Sequence, residues 1–174
     1  EKTADNLRKQ RIEALSGAAE SATAQFQYKR ALAHYQSAAA LTDGEKDITE
    51  WAGIQNDIGW LLHLDRRHAE QEALMRRVVE ACAMAGKAED HVALAAHNLW
   101  AFALDFTGRH SEAETEYRSL LSTHTHRLGP DHPSVLSLRH NLANAMDQQG
   151  KHAEAEKEHR AVLAIRERVL GYEN

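Results

Sequence analysis

The residues best equipped for chemistry are the histidines, twelve of them, together with a single cysteine, Cys82. His124 and His126 stand close to Asp131 and His132, the densest cluster of candidate metal ligands. Two residues apart on a helix, however, side chains point roughly 200° away from each other. Zinc normally needs three or four convergent ligands, and the sequence has neither an HExxH nor a CxxC pattern. No metal and no cofactor is therefore expected. His68, His110 and His152 recur at one fixed interval and read as packing residues with one hydrogen-bonded nitrogen.

The carboxylates give no catalytic set either. Glu72, Glu114 and Glu156 each precede an arginine by one helical turn, at Arg76, Arg118 and Arg160. That order stabilises a helix surface by roughly 0.3–0.5 kcal/mol per pair, so these charges are expected on solvated faces one repeat apart. The glycines are scattered at turns and form no phosphate-cradling loop. No nucleophile stands beside an evident base, and Cys82, on an otherwise apolar helical face, reads as a small core residue. A net charge of −5 with mixed signs excludes a nucleic-acid clamp, which needs a basic face to displace counterions. The expectation is a protein without enzymatic activity.

The same residues reveal what positions them. Gly129 and Gly171 are 42 residues apart. The same step carries Gly150 to Gly108, Lys151 to Arg109 and Arg67, His152 to His110 and His68, Glu154 to Glu112 and Glu70, and Ala143 to Ala101 and Gly59. A fixed period of roughly 34 to 47 residues built from helical pairs signals stacked repeats, which bury their apolar surface between neighbours. Apolar residues spaced three or four apart predict pairs over about 3–42, 47–86, 89–128 and 132–170. Eight antiparallel helices result, in an all-α, right-handed solenoid forming a single domain over 1–174. Asp47 to Glu50 has the form of a capping box. Pro133 suits a first helical turn. Trp51 and Trp100 are expected in the core, with Ile58, Leu62, Leu104, Leu142 and Met146.

The lone cysteine permits no disulfide within one chain and fits a reducing, cytoplasmic setting. The longest run without a charged residue, at 91–104, is too short and too polar to span a bilayer. No signal peptide is visible, and because the chain opens at Glu1 an upstream segment cannot be judged.

Asn141, Leu142, Ala143, Gly150, Glu154, Ala155, Glu156, Arg160, Leu163, Leu170 and Gly171 make a pattern, led in by GPDHP, that resembles the tetratricopeptide repeat of the kinesin light chain type. The pair before it is a fair second copy, and the resemblance extends over roughly residues 26–171. It implies a fold and a class of function, the holding of a protein partner, with bacterial light-chain-like proteins associated with tubulin-like filaments as the specific analogue. There are departures. Histidine replaces the usual aromatic after the turn at 68, 110 and 152, with Tyr28 there in the first pair, and Arg66 replaces the turn glycine of the second. The six repeats and heptad segment of kinesin light chains proper are absent, which weakens any expectation of motor binding.

In such a stack the first helix of each pair lines the concave side. The groove-facing set is then Asn56, Trp60 and His63, with Asn98, Phe102 and Asp105, and His140, Asn144 and Asp147. Each triplet follows the spacing that keeps side chains on one stripe of a helix. The asparagines would hold a peptide backbone and the rings would anchor apolar side chains; alternatively Trp60 and Phe102 pack against adjacent helices. The expected function is a non-catalytic scaffold or adaptor holding a peptide or filament surface. The alternative is a regulatory or sensor domain of a larger signalling protein. Peripheral membrane contact through the convex surface or the N-terminal pair is a third possibility.

Overall fold

The computed structural model describes residues 2–170. Among these there are eight α-helices and no strand: α1 (Lys2–Ala24), α2 (Tyr28–Ala39), α3 (Ile48–Leu64), α4 (His68–Met84), α5 (His91–Phe106), α6 (His110–Leu128), α7 (Pro133–Gln148) and α8 (His152–Leu170). Periodicity placed every one of them. Gly171, expected to close the last repeat, lies outside the described residues. The chain gathers into two compact units, Glu1–Trp100 and Ala101–Asn174.

In the first unit Ile12, Ala19 and Ala22 of α1 meet Ala31, Tyr35 and Ala38 of α2 and Ile54, Ile58, Leu61 and Leu62 of α3. A second cluster joins Ala52 of α3 to Met75, Val78 and Cys82 of α4 and to Ala93 and Ala96 of α5. Alanine at so many contacts lets helix backbones approach closely. Gly59 carries this furthest, for a β-carbon there would stand 2.7 Å from Met75 Cε and Sδ. In the second unit Leu104, Ala113, Tyr117, Leu120, Leu142, Ala143, Met146, Ala155 and Val162 are buried. Trp51 and Trp100, expected in the core, are half-buried and pack against its edge.

One turn joins the helices within each pair. In the last pair Gly150 N–H donates to Asp147 O and Lys151 N–H to Met146 O, with Gly150 at φ +78°. The same two bonds recur at Arg66 to His63 and Arg67 to Leu62, where Arg66 is held at φ +61°. An L-residue in that left-handed region is disfavoured by about 1 kcal/mol, because its β-carbon crowds the following carbonyl. Arg66→Gly is therefore expected to stabilise the protein by about 1 kcal/mol, read as a raised urea midpoint with an unchanged slope. An unchanged or lowered midpoint would mean that Arg66 has compensating contacts.

The cap of α3 is half of the expected box. Asp47 Oδ1 accepts from Glu50 N–H at 3.0 Å, but Asp47's own N–H is already taken by Asp43 O at 2.8 Å. The Glu50 carboxylate instead meets Arg8 of α1 at 3.4 Å. Pro133 opens α7 as expected, behind His132, whose Nδ1 accepts from Ser134 N–H.

The expectation that the repeated Glu–Arg pairs lie on solvated faces holds for Glu156 and Arg160, both exposed and 2.6 Å apart. It fails at Glu114, which is 8% exposed. Its carboxylate receives Lys151 Nζ at 2.7 Å, Gln149 Nε2 at 2.8 Å and Arg118 at 2.8 Å. A charge can be buried when its oxygens are fully hydrogen-bonded, and these three donors achieve that. They hold the Glu114 carboxyl down at about 2, against an ordinary 4.5, Lys151 being the largest influence. Arg76 Nε lies 4.0 Å from Glu80, one turn further along α4.

Candidate functional site

The residues that looked most like metal ligands are engaged otherwise. His124 Nδ1 bonds Leu120 O of its own helix at 3.0 Å, Asp131 pairs with Arg168, and His132 caps α7. Among the described residues no group of three His, Cys, Asp or Glu could hold a metal ion, and no helix is long and apolar enough to cross a membrane.

The expected groove residues divide between the two units. In the first, Trp60 is 49% exposed, with its ring 5.2 Å from that of His63, and His63 lies 5.2 Å from His68 at the start of α4. Burial, and then His68, push the His63 pKa down. Asn56 is not a free amide, since its Nδ2 donates to Val92 O of α5 at 2.9 Å. Its Oδ1 and that of Asn98 are buried without a hydrogen-bond partner. A cavity of about 290 Å³ in this unit is lined by Leu32, Gln55, Ile58, Arg67, Glu70 and neighbours, and by none of these four.

In the second unit Phe102, Asp105, His140, Asn144 and Asp147 do come together. They line a groove of about 560 Å³, joined by Phe106, His110, Tyr117, Asn141 and Gln148. Three helices build it. The last turn of α5 presents Phe102 and Phe106, whose rings lie 4.8 Å apart, with Phe106 53% exposed. The first helix of the next pair, α7, supplies His140, Asn141, Asn144, Asp147 and Gln148 at helical spacing. Tyr117 rises from α6 as a wholly buried side chain.

The polar side chains are organised by the repeat. His110 Nδ1 lies 2.6 Å from Asp105 Oδ1, and one period later His152 Nδ1 lies 2.6 Å from Asp147 Oδ1. Each bond ties the end of one helix to the first residue of the next. His110 is the hydrogen-bonded packing residue expected of it, whereas His152 keeps the hydrogen bond but its side chain is 75% exposed and does not pack. Asn144 Nδ2 stands 3.3 Å from His140 Nε2, and the His140 ring packs on His159 at 5.0 Å. Burial, followed by His159 and Arg166, lowers the His140 pKa. The Tyr117 hydroxyl has no hydrogen-bond partner, and its pKa is driven up by burial and by the nearby Asp105 charge.

Phe106, His110, Tyr117, Asn141 and Gln148 were missing from the sequence-based set. The expected stripe follows one line of each first helix; Phe106, Asn141 and Gln148 lie beside that line on α5 and α7, and His110 and Tyr117 come from the return helix α6. Tyr117 carried a signal: it occupies the place of Met75 and His159 in the repeat, and a phenol there brings a polar tip into a core position.

A tetratricopeptide repeat model matches residues 91–168. No curated protein matches the chain. Among solved structures, a Podosopora anserina protein described as a kinesin light chain with nearly identical TPR-like repeats is similar at 22% identity with TM-score 0.72, the match covering 91% of this chain and 76% of that one. A variant of the same protein gives 0.76 at 22% identity, covering 92% and 76%. BtubC (BKLC) from P. vanneervenii gives 0.78 at 15% identity, covering 94% of this chain and 66% of its own. With these likenesses beside the recurring turn and the eight helices, residues 91–168 match tetratricopeptide repeats and the chain shares the all-α repeat fold of kinesin light chain-like proteins.

Proposed function

We propose that the protein is a non-catalytic interaction module that holds a peptide segment of a protein partner in the groove of the second unit. The observation that supports this most is the convergence of Phe102, Asp105, His140, Asn144 and Asp147 on one open groove with an exposed ring, Phe106, at its edge. Large rings beside amides suit peptide capture, the rings excluding water while the amides bond the backbone. In the first unit Trp60, His63, Asn56 and Asn98 make a separate candidate surface, with Trp60 as its exposed anchor. A tubulin-like filament is the partner class that the kinesin light chain resemblance suggests, and the likeness to BtubC (BKLC) supports it. A cytoplasmic setting belongs to the same reading, in keeping with a lone, buried thiol at Cys82.

The test is partner capture by the purified protein from an extract of its native cell. Truncating a buried interface ring costs about 2 kcal/mol or more, so Phe102→Ala with Asn144→Ala should reduce capture by a factor of about 30. Helicity and melting temperature should stay near those of the parent, since neither side chain is fully buried. Equal capture by parent and variant would remove the groove from the function.

A further inference from the structure

The groove in the second unit has a sign. Two carboxylates, Asp105 and Asp147, line it, and among the described residues none of those lining it is a lysine or arginine. Arg166 of α8 acts on His140 but does not line the groove. Both aspartates stand where one helix ends and the next begins, so the opposed dipoles of those termini offset each other. The side chains therefore decide the field. Each aspartate binds its histidine through Oδ1, which leaves Oδ2 to a ligand.

A second observation, independent of the acidic pair, points the same way. Tyr117 lines the groove, is wholly buried, and has a hydroxyl with no hydrogen-bond partner. A buried polar atom left unpaired is costly, and the cost disappears when a ligand supplies the missing partner. A phenol oxygen can accept from an ammonium or guanidinium group. Beside these polar groups the Phe102 and Phe106 rings offer apolar contact and a face for a cation.

We propose that this groove selects a peptide segment bearing a lysine or arginine next to an apolar side chain, the cation lying among Asp105, Asp147 and the Tyr117 hydroxyl while the apolar side chain rests on Phe102 and Phe106. This rests on the groove reading above and adds the chemistry of the partner. It predicts rejection of acidic segments, whose carboxylates would face Asp105 and Asp147 with no cation between.

The experiment is selection of the whole protein against a library of random short peptides, followed by affinity measurement on the enriched sequences. Enrichment of Lys or Arg beside an apolar residue is expected. The enriched peptides should weaken about tenfold, equal to about 1.4 kcal/mol, for each of Asp105→Asn and Asp147→Asn. They should weaken similarly for Tyr117→Phe, a variant that removes an unpaired hydroxyl and should melt no lower than the parent. Enrichment of acidic or uncharged peptides that still depend on Phe102 would overturn the basic-ligand inference and leave the groove standing. Binding unaffected by Tyr117→Phe and by both aspartate variants would also overturn it. No enrichment above the Phe102→Ala, Asn144→Ala control would remove both the inference and the groove reading beneath it.

Discussion

Glu114→Ala is expected to destabilise the protein by about 3 kcal/mol at neutral pH, the equivalent of a carboxyl held at about 2 rather than 4.5. The side chain is 8% exposed and ties α6 to the end of α7 and the start of α8 through Gln149 and Lys151. Its partners lose less than it does, since the side chains of Arg118 and Lys151 are 55% and 39% exposed and can return to water. That asymmetry places the loss at the low end of the roughly 3–5 kcal/mol seen when one member of a buried pair is removed. Lys151→Ala is expected to cost less than Glu114→Ala, because Arg118 and Gln149 remain on the carboxylate. The sign with pH follows from the depressed folded value. The Glu114 contribution is complete above the ordinary 4.5 and is lost as pH falls from there through about 2. Urea unfolding followed down that window should show the parent losing stability faster than Glu114→Ala, so that the two converge in acid. Parallel curves would mean that the carboxylate is not held by these donors.

The sequence displayed the helices more fully than it displayed what the helices do. Apolar spacing fixed α1 to α8 because each helix buries one stripe, and the 42-residue step fixed the turns because each demands the same pair of bonds. Glu114 was misjudged for a physical reason: Glu72, Glu114 and Glu156 share a repeat position, and spacing alone does not show which copy receives an amine and an amide from the next turn. The Glu114 copy does, from Gln149 and Lys151, 35 and 37 residues away. The groove was half legible for a related reason. A first-helix stripe found Phe102, Asp105, His140, Asn144 and Asp147, but Tyr117 belongs to the floor, and a floor is a property of packing between helices. Asn56 shows the converse error. It sits on the expected stripe, yet its amide closes on Val92 O of α5, a partner that no pattern within α3 could disclose.

Met75→Ala is expected to cost about 4 kcal/mol, toward the upper part of the range of roughly 2–5 for emptying a buried methionine site. Met75 is wholly buried, and the end of its side chain lies over Gly59, 2.7 Å from where a β-carbon would stand. With no side chain at Gly59, nothing there can relax into the space left behind, so the cavity persists instead of collapsing. The equivalent positions one and two periods on are alanine, Ala101 and Ala143, which shows that the repeat tolerates a methyl group wherever no methionine end competes for the volume. Gly59→Ala in the parent should therefore cost about 1–2 kcal/mol by overpacking, moderated by the flexibility of methionine. In the Met75→Ala background the same methyl group enters vacated space and should restore part of the loss. The double variant is then more stable than the sum of the single effects implies, by about 1 kcal/mol or more, a coupling that only direct contact produces. Additive effects in urea unfolding would show that Gly59 and Met75 do not share this volume, and that Gly59 is present for its backbone instead.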